Sequence, residues 1–535
     1  MSFNPSGLAI PIFLLFMACE YLFLRAKGRT LHRYNDSINS LSMGLLLLTS
    51  DALLKASTFA VFILLYSEYR ILDFSTTSWI TWIVFFFGVD FCYYWFHRCA
   101  HEYNILWGAH VGHHQSEEYN LTTALRQSAF QYGFSWIFYL PLAILGCPPE
   151  VFLAQFAILK MYQFWLHTQA IDKIPVLEGI FSTPSSHRVH HAKNPIYIDR
   201  NYGGTLVIWD RVFGSWQPEK IDEPCHYGTT KPLDTLSPIK ANLQHWIMLA
   251  RDTLATKSWS DKIKLWFMPT GWRPTDCRET RDKLQHDGCS DRGKFDPQTS
   301  RPIKIYVGVS MGMLGIFAVM YLFKSPLLTG YELLLGSASL VAGVVMINRF
   351  LENKFRFAWI EIIRVPLLLG ITVQLAVAPV MNQFSQTLTI QAPAHQVFEY
   401  VTVPTKWHEW HHQSLSVVPP LETSFQKDQR FDEVIQTLLG KDDMSWNVVQ
   451  HKQDLLWEAH AYNHTKDANI RLKYDLVDSN GATEFTRTLH YETPNFLLHM
   501  LNQLYFNQHM RSESWKALEA LKAQLERSGR QPERL

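Results

Sequence analysis

The residues best suited to chemistry lie in two histidine-rich stretches. The first reads His97-Arg-Cys-Ala-His101-Glu102 and then Trp107-Gly-Ala-His110-Val-Gly-His113-His114; the second holds His187, His190 and His191. On a helix the HxxxH spacing of His97 and His101 puts both imidazoles on one face, where they can reach one metal ion. In each HxxHH box the first histidine shares a face with both later ones. Histidine supplies 23 of 535 residues, so one HxxHH should arise by chance in roughly 4% of such chains. Two copies in one domain are far rarer and point to a histidine-lined metal site. A third HxxHH, at His408, His411 and His412, follows a proline-bounded turn and flanks Trp407 and Trp410. That setting reads as structural, and no metal is expected there.

The elements that must position these residues are apolar runs long enough to cross a bilayer core of about 30 Å. They cover residues 8–25, 42–66, 79–97, 129–146 and 151–167. The second carries Asp51 and Lys55, so it either faces the protein interior or splits in two. Arg25, Lys27, Arg29 and Arg33 follow the first run and predict a cytoplasmic end there. Counting crossings from that point places His97 on the cytoplasmic side. A hairpin around Gly146-Cys-Pro-Pro149 returns His167 to the same face. Residues 168–303 read as a polar cytoplasmic cap whose last part, 275–302, is a charged linker. Apolar runs resume at 304–323, 331–348 and 359–379, with Glu361 and Arg364 one turn apart and able to pair. These runs either anchor the chain or wall off a tunnel for lipid tails.

Composition agrees with a membrane setting. Aromatic residues are 14% of the chain, with 18 Trp and 34 Phe, as interfacial belts and lipid-facing helices require. Net charge is +1, which argues against a nucleic-acid surface. The seven cysteines (Cys19, Cys92, Cys99, Cys147, Cys225, Cys277 and Cys289) are scattered and read as free thiols. The N-terminus lacks a basic region and a cleavage site, so the first apolar run is expected to stay as an anchor.

After Pro379 the pattern becomes that of an α+β domain. Leu388-Thr-Ile390 reads as a strand and Ala394–Val401 as a helix. Alternation over 430–438, 455–462, 470–476 and 484–490 predicts four more strands. An amphipathic helix is predicted over about 495–527.

The region 88–216 resembles the alkylglycerol monooxygenase family of the fatty acid hydroxylase/sterol desaturase superfamily. The stretches that carry the likeness are Phe96–Glu102, Trp107–His114, Tyr119-Asn-Leu-Thr-Thr-Ala-Leu-Arg-Gln127 and Tyr162-Gln-Phe-Trp-Leu-His-Thr168. Thr183–His191, Asp199-Arg-Asn-Tyr-Gly-Gly204 and Ile208-Trp-Asp-Arg211 continue it. The resemblance implies a di-iron centre held by His97, His101, His110, His113, His114, His167, His187, His190 and His191. Glu102, Asp199 and Asn201 are the candidate supporting or substrate-contacting residues. Imidazole suits iron, and dioxygen needs open coordination positions. Zinc hydrolysis is the rival, but no HExxH occurs and nine histidines exceed the needs of one zinc.

Members of this family hydroxylate the carbon beside an ether oxygen, after which the hemiacetal collapses to an aldehyde and a glycerol. The cofactors implied are iron, dioxygen as co-substrate, and tetrahydrobiopterin or another electron donor. More distant members use a protein donor on sterol, carotenoid or fatty acyl substrates, which is the alternative activity. The C-terminal segment, with Ile390-Gln-Ala-Pro-Ala-His-Gln-Val-Phe398, Pro404 and Trp407–His411, resembles the START-like (SRPBCC, polyketide cyclase-like) domains. It implies a helix lying across a curved sheet and closing an apolar cavity, and a further alternative, lipid transfer or sensing without catalysis. The expected architecture is a multi-pass α-helical membrane protein with a cytoplasmic histidine-box cap and an α+β helix-grip domain. Its expected divisions are 1–300 for the di-iron domain, 301–382 for further membrane helices and 383–530 for the helix-grip domain. The expected partners are the bilayer, a membrane lipid substrate and an electron-donor protein, with no nucleic acid.

Overall fold

The computed structural model describes residues 5–277, 293–325, 328–438, 440–479 and 481–528. Most of the charged linker expected over 275–302 lies outside the described residues, as do Cys289 and the side chain of Lys55. The chain divides into two compact units that meet in sequence between Leu369 and Gly370.

The first unit is built on helices α1 (Pro5–Ala26), α2 (Tyr34–Tyr69), α3 (Trp79–Glu102), α4 (Pro149–Leu166), α5 (Pro184–His191), α6 (Pro238–Ala255), α7 (Arg301–Lys324) and α8 (Gly330–Leu351). Helix α9 (Ile360–Val377) runs across the division. Among the described residues, α3, α7, α8 and α9 are long and apolar enough to cross a membrane. They correspond to the apolar runs read from the sequence at 79–97, 304–323, 331–348 and 359–379. The run 129–146 does not form one helix. It breaks into Gln131–Ser135, a 3₁₀ turn Trp136–Tyr139, and Leu140–Leu145. Fifteen residues reach about 22 Å, short of the bilayer core. The apolar composition of the run concealed the break. The 42–66 run lies within a single helix of 36 residues, not two pieces. Its polar side chains find partners inside: Asn39 donates to Asn348 (2.8 Å) and Asn348 to Ser42 (2.8 Å), tying α2 to α8. Buried polar groups of this kind must be hydrogen-bonded, or each costs about 1–3 kcal/mol. Glu361 and Arg364 pair as their spacing predicts.

The second unit holds a seven-stranded antiparallel sheet in the order β1-β7-β6-β5-β4-β3-β2. The strands are β1 (Val380–Ile390), β2 (Ser414–Val418), β3 (Arg430–Thr437), β4 (Gly440–Lys452), β5 (Leu456–Asn463), β6 (Ala468–Ser479) and β7 (Ala482–Thr493). Helix α10 (Ala394–Val401) buries Val397, Phe398 and Val401 in the core. The final helix α11 (Asn507–Ser528) buries Leu518, Leu521 and Leu525 against the same core. The single amphipathic helix expected over 495–527 is interrupted by a π-helical turn at Asn502–Phe506. None of the six described cysteines is joined in a disulfide.

Candidate metal centre

Helix α3 brings His97 and His101 inward on its buried face, with Asp90, Tyr93 and Phe96. The short helix Val111–His114, capped by His110, presents the second box. Helix α5 presents the third. Thr183 opens it with a reciprocal cap to Ser186, and Pro184 stands in its first turn. His167 follows the last residue of α4.

The nine imidazoles form two groups. In one, nitrogens of His97, His101, His110, His114 and His190 all lie within 4.8 Å of one another. In the other, those of His113, His167, His187 and His191 do the same. Each HxxHH box feeds both groups. Its i and i+4 histidines enter one group and the i+3 histidine crosses to the other. No carboxylate belongs to either group among the described residues.

The nitrogens are oriented for ligation. The Nδ1 atoms of His97, His113, His167 and His190 donate to the carbonyls of Tyr202 (2.8 Å), Arg126 (2.7 Å), Gln163 (3.0 Å) and Arg200 (3.0 Å). Each bond fixes the tautomer and leaves the Nε2 lone pair pointing inward. Nε2–Nε2 separations of 3.1 Å (His97–His110), 3.2 Å (His110–His114), 3.2 Å (His113–His167) and 3.1 Å (His167–His187) follow. Two nitrogens about 2.1 Å from one ion at near right angles sit about 3.0 Å apart. The buried Nε2 atoms of His101, His190 and His191 have no hydrogen-bond partner. Such orphaned nitrogens, all aromatic and adjacent, fit a pair of iron ions. Burial pushes the His190 imidazole down to about 4, and His113, His114, His187 and His191 lie well below their ordinary value for the same reason. Protons therefore do not compete with a metal near neutral pH.

The loop that covers the group of five is held by two buried carboxylates that sequence reasoning did not single out. Asp90 accepts from the backbone N–H of Thr205 (2.7 Å) and Leu206 (3.2 Å) and from Trp209 Nε1 (3.0 Å). Asp210 accepts from the N–H of Tyr202 (2.7 Å) and Gly203 (2.8 Å) and from the Ser215 hydroxyl. Gly204 is needed because a Cβ there would stand 2.7 Å from Leu159 and Tyr93. The loop sets Tyr202 5.4 Å from His101, ring centre to ring centre, with its buried hydroxyl unpartnered. Trp107 packs against His101 and His114. In the sequence, Tyr202, Gly204 and Asp210 were signalled by their place inside the matching Asp199–Gly204 and Ile208–Arg211 stretches and Trp107 by opening the Trp107–His114 stretch, whereas Asp90 lies in none of them.

The three supporting candidates fall in different places. Asp199 lies 3.6 Å from His101 Nδ1, with its side chain about half exposed. Asn201 takes φ +56° and donates to Ser186 and Gln217 carbonyls (2.9 and 2.7 Å) while accepting from the Gln217 N–H. Its amide is consumed in clamping the loop. Glu102 pairs with Arg98 one turn earlier at 2.9 Å and stands outside both groups. In the third HxxHH, His408 and His412 are exposed and His411 is buried. None of the three joins a metal-binding group among the described residues.

Residues 82–215 match the fatty acid hydroxylase family model, and residues 381–526 match the model described as polyketide cyclase/dehydrase and lipid transport. Alkylglycerol monooxygenase of Xenopus tropicalis is 39% identical over 339 residues, covering 63% of this chain and 75% of the relative. The chain belongs to the alkylglycerol monooxygenase family. The Homo sapiens alkylglycerol monooxygenase is 36% identical over 357 residues, covering 66% of this chain and 80% of the relative. A shorter match, to ornithine lipid hydroxylase OlsE of Rhizobium tropici, is 34% identical over 131 residues, 24% of this chain and 39% of that one. Among solved structures, the Zhui aromatase/cyclase from Streptomyces sp. R1128 is 12% identical at a TM-score of 0.25, covering 28% of this chain and 97% of that one.

Proposed function

We propose that this membrane-family enzyme is a di-iron monooxygenase that hydroxylates an ether lipid, an alkylglycerol, at the carbon beside the ether oxygen. The observation that carries the reading is the convergence of nine buried imidazoles into groups of five and four. Bound there, iron supplies dioxygen activation and removal of a hydrogen atom from a C–H bond that side-chain acid–base chemistry cannot break. One oxygen atom enters the lipid, and the other leaves as water with two electrons and two protons from the donor. The hydroxylated carbon is then a hemiacetal, which breaks its bond to the ether oxygen to give a fatty aldehyde and a glycerol.

The residues of this chain hold and shield the centre. His97, His113, His167 and His190 are locked by their carbonyl partners. Asp90 and Asp210 fix the covering loop, and Asp199 positions His101. Asn201 clamps the loop, and Glu102 orders Arg98 beside it. Tetrahydrobiopterin is the proposed electron donor, on the family's pattern. The basic residues Arg25 in the last turn of α1 and Lys27, Arg29 and Arg33 after it support a cytoplasmic face for the histidine boxes. The C-terminal unit is proposed to bind a hydrophobic ligand in the cavity between its sheet and final helix.

The test is purified protein reconstituted with iron and given an alkylglycerol and reduced tetrahydrobiopterin. About two iron ions per chain, oxygen uptake and release of fatty aldehyde are expected. Protein that holds only zinc and consumes no oxygen would overturn the reading. Turnover with a reduced ferredoxin and a sterol or acyl lipid, but not with the pterin, would favour the second activity named for the superfamily.

A further inference from the structure

The cavity of the C-terminal unit has a volume of about 200 Å³. Its walls include Met444, Trp446, Ile470, Leu472 and Leu489, and the end of the π-helical turn, Phe506, helps close it. Two cations line it, Lys466 and Arg487, and Lys466 is already paired with Asp442 at 2.6 Å. Arg487 on β7 lines it and is 6% exposed. Its guanidinium donates to the Ser514 hydroxyl at 2.7 Å. The Tyr474 hydroxyl, directly across on β6, bonds to it as well. Both partners are neutral, and the buried Nε has none. Among the described residues, no carboxylate oxygen comes within 4.0 Å of it. The buried carboxylate nearby, Glu433, is already engaged: it accepts from the Ser414 hydroxyl (2.6 Å) and from Trp446 Nε1 (2.9 Å).

A buried charge without a paired counter-ion is costly, and a ligand that supplies the counter-ion recovers that cost. The fork of a guanidinium matches a planar carboxylate through two parallel hydrogen bonds. A phosphate dianion fits less well, because the other lining cation, Lys466, is already paired with Asp442 and the buried Glu433 disfavours each added negative charge. A neutral alcohol or sterol would leave Arg487 unpaired. We propose that this cavity binds the carboxylate of a fatty acid, with the head group on Arg487 and the chain along the apolar wall. The proposal rests on the reading that the C-terminal unit takes a hydrophobic ligand and specifies what that ligand carries.

The test uses the full-length protein in detergent and a pair of photoreactive probes, decanoate and decanol, each with a diazirine in the chain. Cross-linked peptides are mapped by mass spectrometry. At equal concentration, below micelle formation, the acid should label peptides of β4, β6 and α11 at least tenfold more than the alcohol. Excess unlabelled decanoate should suppress the labelling. Arg487→Met should reduce acid labelling to the level of the alcohol, and Arg487→Lys should retain part of it. Equal labelling of these peptides by acid and alcohol would overturn the carboxylate assignment while leaving a hydrophobic-ligand site. Labelling of neither kind in this unit would overturn both. The acid–alcohol comparison on the unaltered protein needs no variant, so a misfolded Arg487→Met does not blunt it. The readout needs no turnover, so it is independent of the oxygenase reading.

Discussion

Three stretches of this chain carry HxxHH, and they have two fates. At His110–His114 and His187–His191 the backbone is helical or caps a helix, so i, i+3 and i+4 project over a narrow arc. Each box then splits its three rings between two neighbouring groups. At His408–His412 the chain leaves a 3₁₀ turn, Pro404–Glu409, and becomes irregular. His408 donates to the Thr405 carbonyl (2.7 Å), while His411 turns inward to the cavity. The same letters therefore bring imidazoles together only where the backbone aligns them and other elements add more. The third box owes its place to the tryptophans beside it, which pack the helix-grip core.

The sharpest way to break this contrast is to remove one ring from each setting. His190→Ala should lower lipid hydroxylation by more than the roughly 10–100-fold that loss of an outer-shell partner costs, and should reduce iron per chain. His412→Ala should leave both unchanged, and a matched loss in the two variants would erase the distinction. Trp407→Ala tests the structural side. This ring is 3% exposed and donates to the Val401 carbonyl, so its loss should destabilise the C-terminal unit by about 3–5 kcal/mol. Iron content should not move, as thermal unfolding and metal analysis together would show. Asp210→Ala removes the anchor of the covering loop without touching a ligand. Metal affinity should weaken by about 10–100-fold, measured by chelator competition. The smallest effect is expected for Glu102→Gln. That residue joins a partly exposed ion pair, so stability should change by about 0–1 kcal/mol and turnover hardly at all.

Much of the candidate ligand set was legible because local spacing encodes it. His97 and His101, or His187 and His191, are neighbours on one helical face whatever the fold does elsewhere. The supports were not legible, since Asp90 acts on Thr205 and Leu206 from a distant helix. The expected strands at 430–438, 455–462, 470–476 and 484–490 correspond to β3, β5, β6 and β7. Strand β4 was missed because Lys441-Asp-Asp reads as a turn, although Asp442, Met444, Trp446 and Val448 alternate inward. Strand β1 was seen only at its end, as its first residues follow directly on an apolar helix. The run 129–146 misled for the opposite reason: hydrophobicity records burial or lipid contact, but not a change from α to 3₁₀ geometry around Trp136.

That neither group of imidazoles includes an acidic side chain among the described residues has an electrical consequence. Uncharged donors cancel none of the charge on the ions they hold, so an occupied centre carries its full positive charge into a low-dielectric interior. Adding more charge by oxidation is then disfavoured, just as exchanging thiolates for imidazoles raises the potential of an iron–sulfur cluster. The resting enzyme should keep its iron ferrous in air for longer than a carboxylate-bridged pair would, and small anions should find the open positions attractive.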